Sequence, residues 1–373
     1  MKNIFLILVS FLLVSCTAKP IKITVENTLD FDRKGEMVEV QIKSLKADFT
    51  AQSYVLKDEK GQEVPYQLLM GGTDSLLIFQ ADVPAGKSSV YTLEKGTPAP
   101  VVAKTHARFV PERKDDFAWE NDFAAYRMYG PALAPENPSD GVDLWVKCTD
   151  SLIVDKFYAD ELERGISYHV NHGLGLDCYD VGHTMGAGGI TPYTTQAWIG
   201  NHYDRYEVQA AGPLRSVFTL TYDSAQVDSV YYKKILTITS DAGSMMNKGV
   251  VRYEGPETQM KLAAGIFLHK DKGQLFTDET KQVIAYAENA VSQAGVPQGQ
   301  NYVGVYIPGA DGGTLEENSH FMLLNNYTAG KDFTYYFAGG WSQWKFPTAD
   351  DWFKATEQFS KEKQTPLKVT IEP

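Results

Sequence analysis

A period of two constrains this chain more than any other feature. IKITVENTL and MVEVQIKSL alternate apolar and polar residues, and so do the longer segments DRYEVQAAGPLRSVFTLTYDS and VYYKKILTITSDAGSMMNKGVVRYEG. Successive side chains of an extended strand point to opposite faces, so such a pattern writes one buried face and one wetter face. Helical spacing is scarce. DKFYADELERGI mixes charged and apolar residues without a clear stripe. TADDWFKATEQFSKEKQ reads as the best helix, with Asp350 and Asp351 near its start, where the macrodipole favours acids. The expected fold class is all-β.

Turn signals divide the strands into two units. SYVLKDEKGQEVPYQLL and SLLIFQADVPAGKSSVYTLEKG each place two strand signals around a turn containing glycine. Residues 17–97 are therefore expected to form a small antiparallel β-sandwich. TPAPVVAK supplies a proline-rich linker. Residues 98–373 carry many further strands, among them AAYRMYGPAL, VDLWVKCT, MKLAAGIFLHK, HFMLLNNY and DFTYYFAGGW. So many strands in one unit imply two large stacked antiparallel sheets. A sandwich of that size offers a concave face or a loop-lined end to a ligand.

The first residues bear on location. Lys2 gives a positive start, and an apolar run from Ile4 to Leu13 ends in Leu13-Val14-Ser15-Cys16. The run is roughly half of the ~20 residues a membrane-spanning helix needs. Residues 1–16 read as a secretory signal peptide with a lipobox, in which Cys16 becomes the lipidated first residue. Thr17 in place of an acid favours the outer membrane. The lack of an acidic run after it favours the periplasmic face. Membrane attachment is expected through the lipid alone.

A net charge of −12, from 35 basic and 47 acidic residues, argues against nucleic acid, whose phosphates the chain would repel. The 21 tyrosines and 6 tryptophans suit stacking on sugar rings, although β-sheet cores use them too. With Cys16 removed to the anchor, Cys148 and Cys178 remain. One pair is no disulfide framework, and two free thiols are expected. Neither a cofactor nor a metal is expected.

The densest chemistry lies in YHVNHGLGLDCYDVGHTMGAGG, residues 168–189. Read as a strand, its first residues place Tyr168, Val170 and His172 on one face and His169 and Asn171 on the other. Asp177, Tyr179 and His183 follow in a loop rich in glycine, which permits close backbone approach and positive φ. A second cluster, ARFVPERKDDFAWENDFAAYRMYGPAL, holds Arg113, Trp119, Glu120, Asp122, Arg127 and Tyr129. Guanidinium groups pair with carboxylates through two hydrogen bonds, and Trp341 and Trp344 in GGWSQWKF add candidate stacking rings. Two chemistries fit. In β-elimination a Tyr or His removes the proton α to a uronate carboxylate while an arginine neutralises the acid. Base candidates are Tyr168, His172, Tyr179 and His183; Arg127 and Arg113 are the neutralisers. In hydrolysis two carboxylates act, drawn from Glu120, Asp122 and Asp177. A mutarotase-like site is a third variant, and a non-catalytic glycan-binding lipoprotein is the rival class.

The segments ERKDDFAWENDFAAYRMYGPAL, YHVNHGLGLDCYDVGHTMGAGGI and GPLRSVFTLTY resemble a family of secreted bacterial proteins known as domain of unknown function 4861. The resemblance implies a setting in polysaccharide-utilisation gene clusters, beside enzymes for pectin and other uronate glycans. It also implies the large two-sheet supersandwich of galactose mutarotase-like proteins. Where such sequences read His-Gly-Glu-Gly-Leu-Asp-Tyr, this chain has Leu174 for the glutamate and Cys178 for the aromatic, but keeps His172 and Asp177. The leading expectation is a lipid-anchored lyase on uronate oligosaccharides. His172 is its acid or base, Arg127 its carboxylate clamp, and Asp177 the residue that orients His172.

Overall fold

The computed structural model describes residues 19–71, 74–270, 273–280 and 282–373; Cys16 and the expected signal peptide lie outside them. Among the described residues no helix is long and apolar enough to cross a membrane.

Ile21–Glu26 buries Ile21, Ile23 and Val25 and turns the residues between them outward, as its alternation requires. It pairs antiparallel with Ser88–Lys95, which pairs in turn with Tyr54–Lys57. A second sheet runs in the order Arg33–Gln41, Leu76–Val83, Tyr66–Leu69. The two sheets close on Ile23, Val25, Val40, Leu56, Phe79 and Leu93. This is the expected small sandwich with one addition. The last strand of the chain, Lys368–Glu372, returns to pair with Ile21–Glu26. The C-terminal end of the 98–373 segment thus completes the first unit.

The large unit has two layers. One is an eight-stranded sheet running from Arg205–Ala211 through Arg215–Val227, Val230–Asp241, Asn247–Glu254, Phe333–Trp341, Pro297–Tyr306 and Val283–Val291 to Gln274–Asp278. The other combines two sheets. A five-stranded one has the order Gly175–Asp177, Asp143–Lys147, Ala124–Met128, Asp116–Glu120, His106–Val110. A four-stranded one has the order Ala187–Tyr193, Gln259–Phe267, His320–Thr328, Thr314–Glu317. A parallel bridge between Val142 and Gly186 ties these two together. Phe117 and Leu144, Ile190 and Leu262, and Phe218 and Leu236 come from the three sheets and share one core. The all-β supersandwich expectation holds.

Among the described residues, the two longer helices flank the sheets of the large unit. Ala349–Gln364 forms where its acids foretold, closed by a capping box between Thr348 and Asp351. It packs Trp352 and Phe359 on Tyr302 and Tyr306. Val154–Arg164 is also helical, despite its mixed pattern. Its start is stabilised from a distant strand: the Glu120 carboxylate accepts from the backbone of Ile153 at 2.9 Å and Val154 at 2.8 Å.

The glycine-rich stretch departs from expectation. No strand forms at 168–172; the backbone turns there, and the carbonyl of Tyr168 accepts from the Asp177 amide at 2.8 Å. The strand is Gly175–Asp177, at the edge of the five-stranded sheet. At Gly175 (φ +129°) a Cβ would lie 2.1 Å from the Val146 carbonyl oxygen, and at Gly186 (φ +61°) 2.2 Å from that of Val142. These glycines let the loop backbone press against the strand containing Asp143.

Candidate functional site

The register of the five-stranded sheet sets Asp143 opposite Arg127 and Trp145 opposite Asp177. The Arg127 side chain is buried, at 3% exposure for the residue. Its Nε bonds Asp143, its Nη2 donates to Asp177 at 2.9 Å and its Nη1 to the Tyr168 hydroxyl at 3.2 Å. Asp116 lies 3.5 Å away. The rings of Tyr129, Trp145 and Tyr168 surround the guanidinium at 5.0, 5.1 and 5.5 Å. Arg113, 3.9 Å from Asp116, is the second cation. Three carboxylates thus face two guanidiniums in a nearly dry place. Burial, and then the charge of Asp143, push the Asp177 carboxyl well above the usual range. Burial pushes Asp116 up to about 6.

The structure therefore brings Arg127, Tyr129, Tyr168, Asp177 and, at the margin, Arg113 together, but as a closed cluster. The expected role of Arg127 as a clamp for a substrate carboxylate needs correcting: Asp143, Asp177 and Asp116 already occupy that place. The expected pairing of Asp177 with His172 is not made either. His169 Nδ1 sits 3.5 Å from Asp177 Oδ2, whereas His172 is exposed, with Nε2 3.1 Å from the Ser167 carbonyl. His183 is exposed and bonded by the Pro138 carbonyl. Tyr179 is buried and its hydroxyl donates to the Phe267 carbonyl at 3.4 Å. Burial, with the charge of Glu288, holds that phenol protonated.

The remaining candidates make their contacts outside the Arg127 cluster. Trp119 is at 0% exposure, stacked on Tyr126 with its Nε1 on Asn247; Trp341 is at 1%, with its Nε1 on the Gln298 carbonyl. Neither can stack on a sugar. Glu120 is buried against Lys147 at 2.8 Å and holds the helix start described above. Asp122 accepts from the Gly243 amide at 2.8 Å and faces Lys345 at 3.4 Å. Trp344 is half-buried beside Lys345. Cys148 and Cys178 are free thiols. Among the described residues no three His, Cys, Asp or Glu side chains are grouped to hold a metal.

Open space lies on the other side of Tyr129. Its hydroxyl donates to Asp143 at 3.3 Å, while its ring is 6.4 Å from that of His202. There a cavity of about 210 Å³ opens, lined by Asp140, Trp198, His202, Tyr222, Lys234 and neighbouring side chains. Lys234 and Tyr222 stand on adjacent strands of the eight-stranded sheet and face inward. Lys234 Nζ donates to Asp140 at 2.7 Å and to the Ile190 carbonyl at 3.1 Å, and lies 4.7 Å above the Tyr222 ring. Asp140 also accepts from the Gly200 amide at 3.0 Å. Two polar atoms here are buried without a protein partner, His202 Nε2 and the Tyr222 hydroxyl. The Asn201 side-chain oxygen Oδ1 accepts from His202 Nδ1 at 2.6 Å. That bond places the imidazole proton on Nδ1 and leaves a lone pair on Nε2. Burial lowers the His202 pKa, favouring this neutral form, and burial raises that of Tyr222 well above its usual value. A neutral base and a protonated phenol thus line one cavity with an ion pair.

Sequence reasoning missed these residues, although one signal was present. In VYYKKILTITS, Lys234 falls in phase with Tyr232, Leu236 and Ile238, all buried. A lysine on the inward phase of a strand needs a buried partner.

The chain matches, over residues 25–369, the family model described as "Domain of unknown function (DUF4861)". It is 28% identical over 382 residues to a protein named "Uncharacterized protein P7" from Formosa agariphila, covering 94% of this chain and 93% of that one. Among solved structures it is similar to a protein in the glycosyl hydrolase family 38 from Enterococcus faecalis. That match has a TM-score of 0.51 and 8% identity, and covers 95% of this chain and 47% of the other. An α-mannosidase from Enterococcus faecalis gives a TM-score of 0.46 at 8% identity, with 95% and 46% covered. The chain spans about half the length of these solved structures, and the likeness to the first is one of fold.

Proposed function

This chain belongs to the DUF4861 family, and from that premise we propose that it is a carbohydrate-active enzyme whose seat is the Asp140–Lys234 cavity. It acts by β-elimination on uronate-containing oligosaccharides. The observation that carries this reading is the pair of buried, unpartnered polar atoms, His202 Nε2 and the Tyr222 hydroxyl, facing one cavity. Buried polar groups are nearly always hydrogen-bonded, so two that are not mark a place for a ligand. Elimination needs a base for the proton α to the carboxylate, an acid for the leaving glycosidic oxygen and a charge near the acid group. His202 removes that proton through Nε2. The electron pair moves to form the C4–C5 double bond, and Tyr222 delivers a proton to the departing oxygen. Lys234 uses two of its three N–H donors on Asp140 and Ile190, which leaves one for the substrate carboxylate. The fold shared with a glycosyl hydrolase family protein supports a carbohydrate substrate. We also place the protein on the periplasmic face of the outer membrane, held by lipid on Cys16.

A second reading, hydrolysis, draws on Asp140 and Asp204, which line the same cavity. One experiment separates the readings. The chain without its first 16 residues is incubated with uronate oligosaccharides, following the ultraviolet band of an unsaturated uronate and product mass. Rising absorbance with shortened products, lost in His202→Gln, is expected. Shorter products without absorbance replace elimination by hydrolysis. Binding without any shortening makes the protein a glycan-binding lipoprotein.

A further inference from the structure

We infer that the cavity admits one sugar ring and that the protein reads the end of a glycan chain, never its middle. The inference rests on the cavity being the seat proposed above. Its volume is about 210 Å³, below the ~300–1,000 Å³ of pockets for drug-sized ligands. Its floor is closed. Asp140, His202, Tyr222, Lys234 and Tyr253 are all buried, and Tyr253 is a core residue of the sandwich. The exposed lining residues, Asn201, Asp204, Ser224 and Gln226 among them, form the rim. A chain bound through its interior needs two ways out of the ring's site, and with the floor closed by buried residues only the rim side is left.

Trp198 supplies the wall. It is half-buried, and its ring is fixed by a hydrogen bond from Nε1 to Thr194 Oγ1 at 2.9 Å, while its carbonyl accepts from Thr191. An indole immobilised in this way presents a flat apolar face at little entropic cost. The ring held there has its hydroxyls within the range of the Asp140–Lys234 pair on the floor, and the rest of the glycan extends past the rim into solvent.

The test uses the unmodified chain without its first 16 residues and a uronate hexasaccharide, sampled by mass spectrometry through the first tenth of turnover. The expected products are a single sugar unit and the pentasaccharide, with no trimer until tetramer has formed. Trp198→Ala should raise KM at least tenfold and change kcat less than threefold. Dimers, trimers and tetramers appearing together from the start would overturn the end-reading inference while leaving the cavity as the seat. A stepwise ladder that persists unchanged in both His202→Gln and Trp198→Ala would sink the cavity assignment, and this inference with it. Absence of turnover on every uronate oligosaccharide removes both.

Discussion

Two polar clusters stand on either side of Tyr129, and they differ in one respect. Around Arg127, Asp116, Asp143, Asp177 and Tyr168 all bond or face one guanidinium, and two atoms without a hydrogen bond, Asp116 Oδ1 and Arg113 Nη1, face each other at 3.9 Å. Around Lys234 and Asp140 the ion pair is made, but His202 Nε2 and the Tyr222 hydroxyl have no partner and there is space beside them. The first cluster is dense in titratable residues along the sequence, the second is not. Density of charge thus marks a buried network as readily as a site. Unsatisfied polar atoms beside a cavity are the better guide, because leaving them buried costs ~1–3 kcal/mol each unless a ligand or water completes them.

The contrast breaks most severely at Arg127. Replacing it with Met removes the cation from three buried carboxylates, and removal of one partner from a buried pair costs about 3–5 kcal/mol. Urea unfolding should show at least that loss, with turnover per folded molecule falling much less. A fully stable Arg127→Met protein without activity would make the cluster a site after all.

Across Tyr129 the opposite is expected. His202→Gln should lower turnover ~10²–10⁴-fold, the usual contribution of a positioned base, with a smaller loss of stability than the about 3–5 kcal/mol expected at Arg127. The pH profile carries the sign. Because burial lowers the His202 pKa below its ordinary 6.5, the base form persists as pH falls through 6.5, and activity should decline only in more acid solution. A decline that sets in above pH 6.5 would assign the base elsewhere.

The Arg127 cluster has its own pH signature, in stability. Asp116 has a folded pKa of about 6 against an ordinary 3.8, chiefly through burial. A raised carboxyl pKa means that the folded state holds the proton more tightly, so its contribution is present below about pH 4 and lost as pH rises through 6. The shift corresponds to about 3 kcal/mol. Parent and Asp116→Asn proteins compared from pH 4 to 7 should therefore start close together and separate as pH rises, because only the parent must then bury a charge. Parallel curves would show that the three carboxylates share their protons differently.

Much of the architecture could be read from alternation, because a strand with one wet face declares its phase. Ile21–Glu26 and Val230–Asp241 bury the residues their patterns imply. Asp116–Glu120 and Asp143–Lys147 are buried on both faces, so nothing in their sequence says which way Trp119 or Asp143 points. The Arg127 cluster depends on register between three strands, and helix Val154–Arg164 on a glutamate 33 residues upstream of Ile153. The cavity joins a strand lysine to Asp140 and His202 from loops. Such meetings are set by topology and leave no local pattern. Only the inward phase of Lys234 was visible beforehand.

The smallest expected effect is at His172, and it bears directly on the glycine-rich stretch. If that stretch were the catalytic loop, His172 would have to sit where Asp177 can orient it. Instead Asp177 is turned to Arg127 and His169, and the His172 ring is exposed with a single bond to the Ser167 carbonyl. An exposed side chain with one such bond contributes within about 0.5 kcal/mol either way. His172→Ala should therefore leave both unfolding and turnover at the parent's values. Loss of turnover with folding intact would return the active centre to residues 168–189 and require that loop to rearrange around substrate.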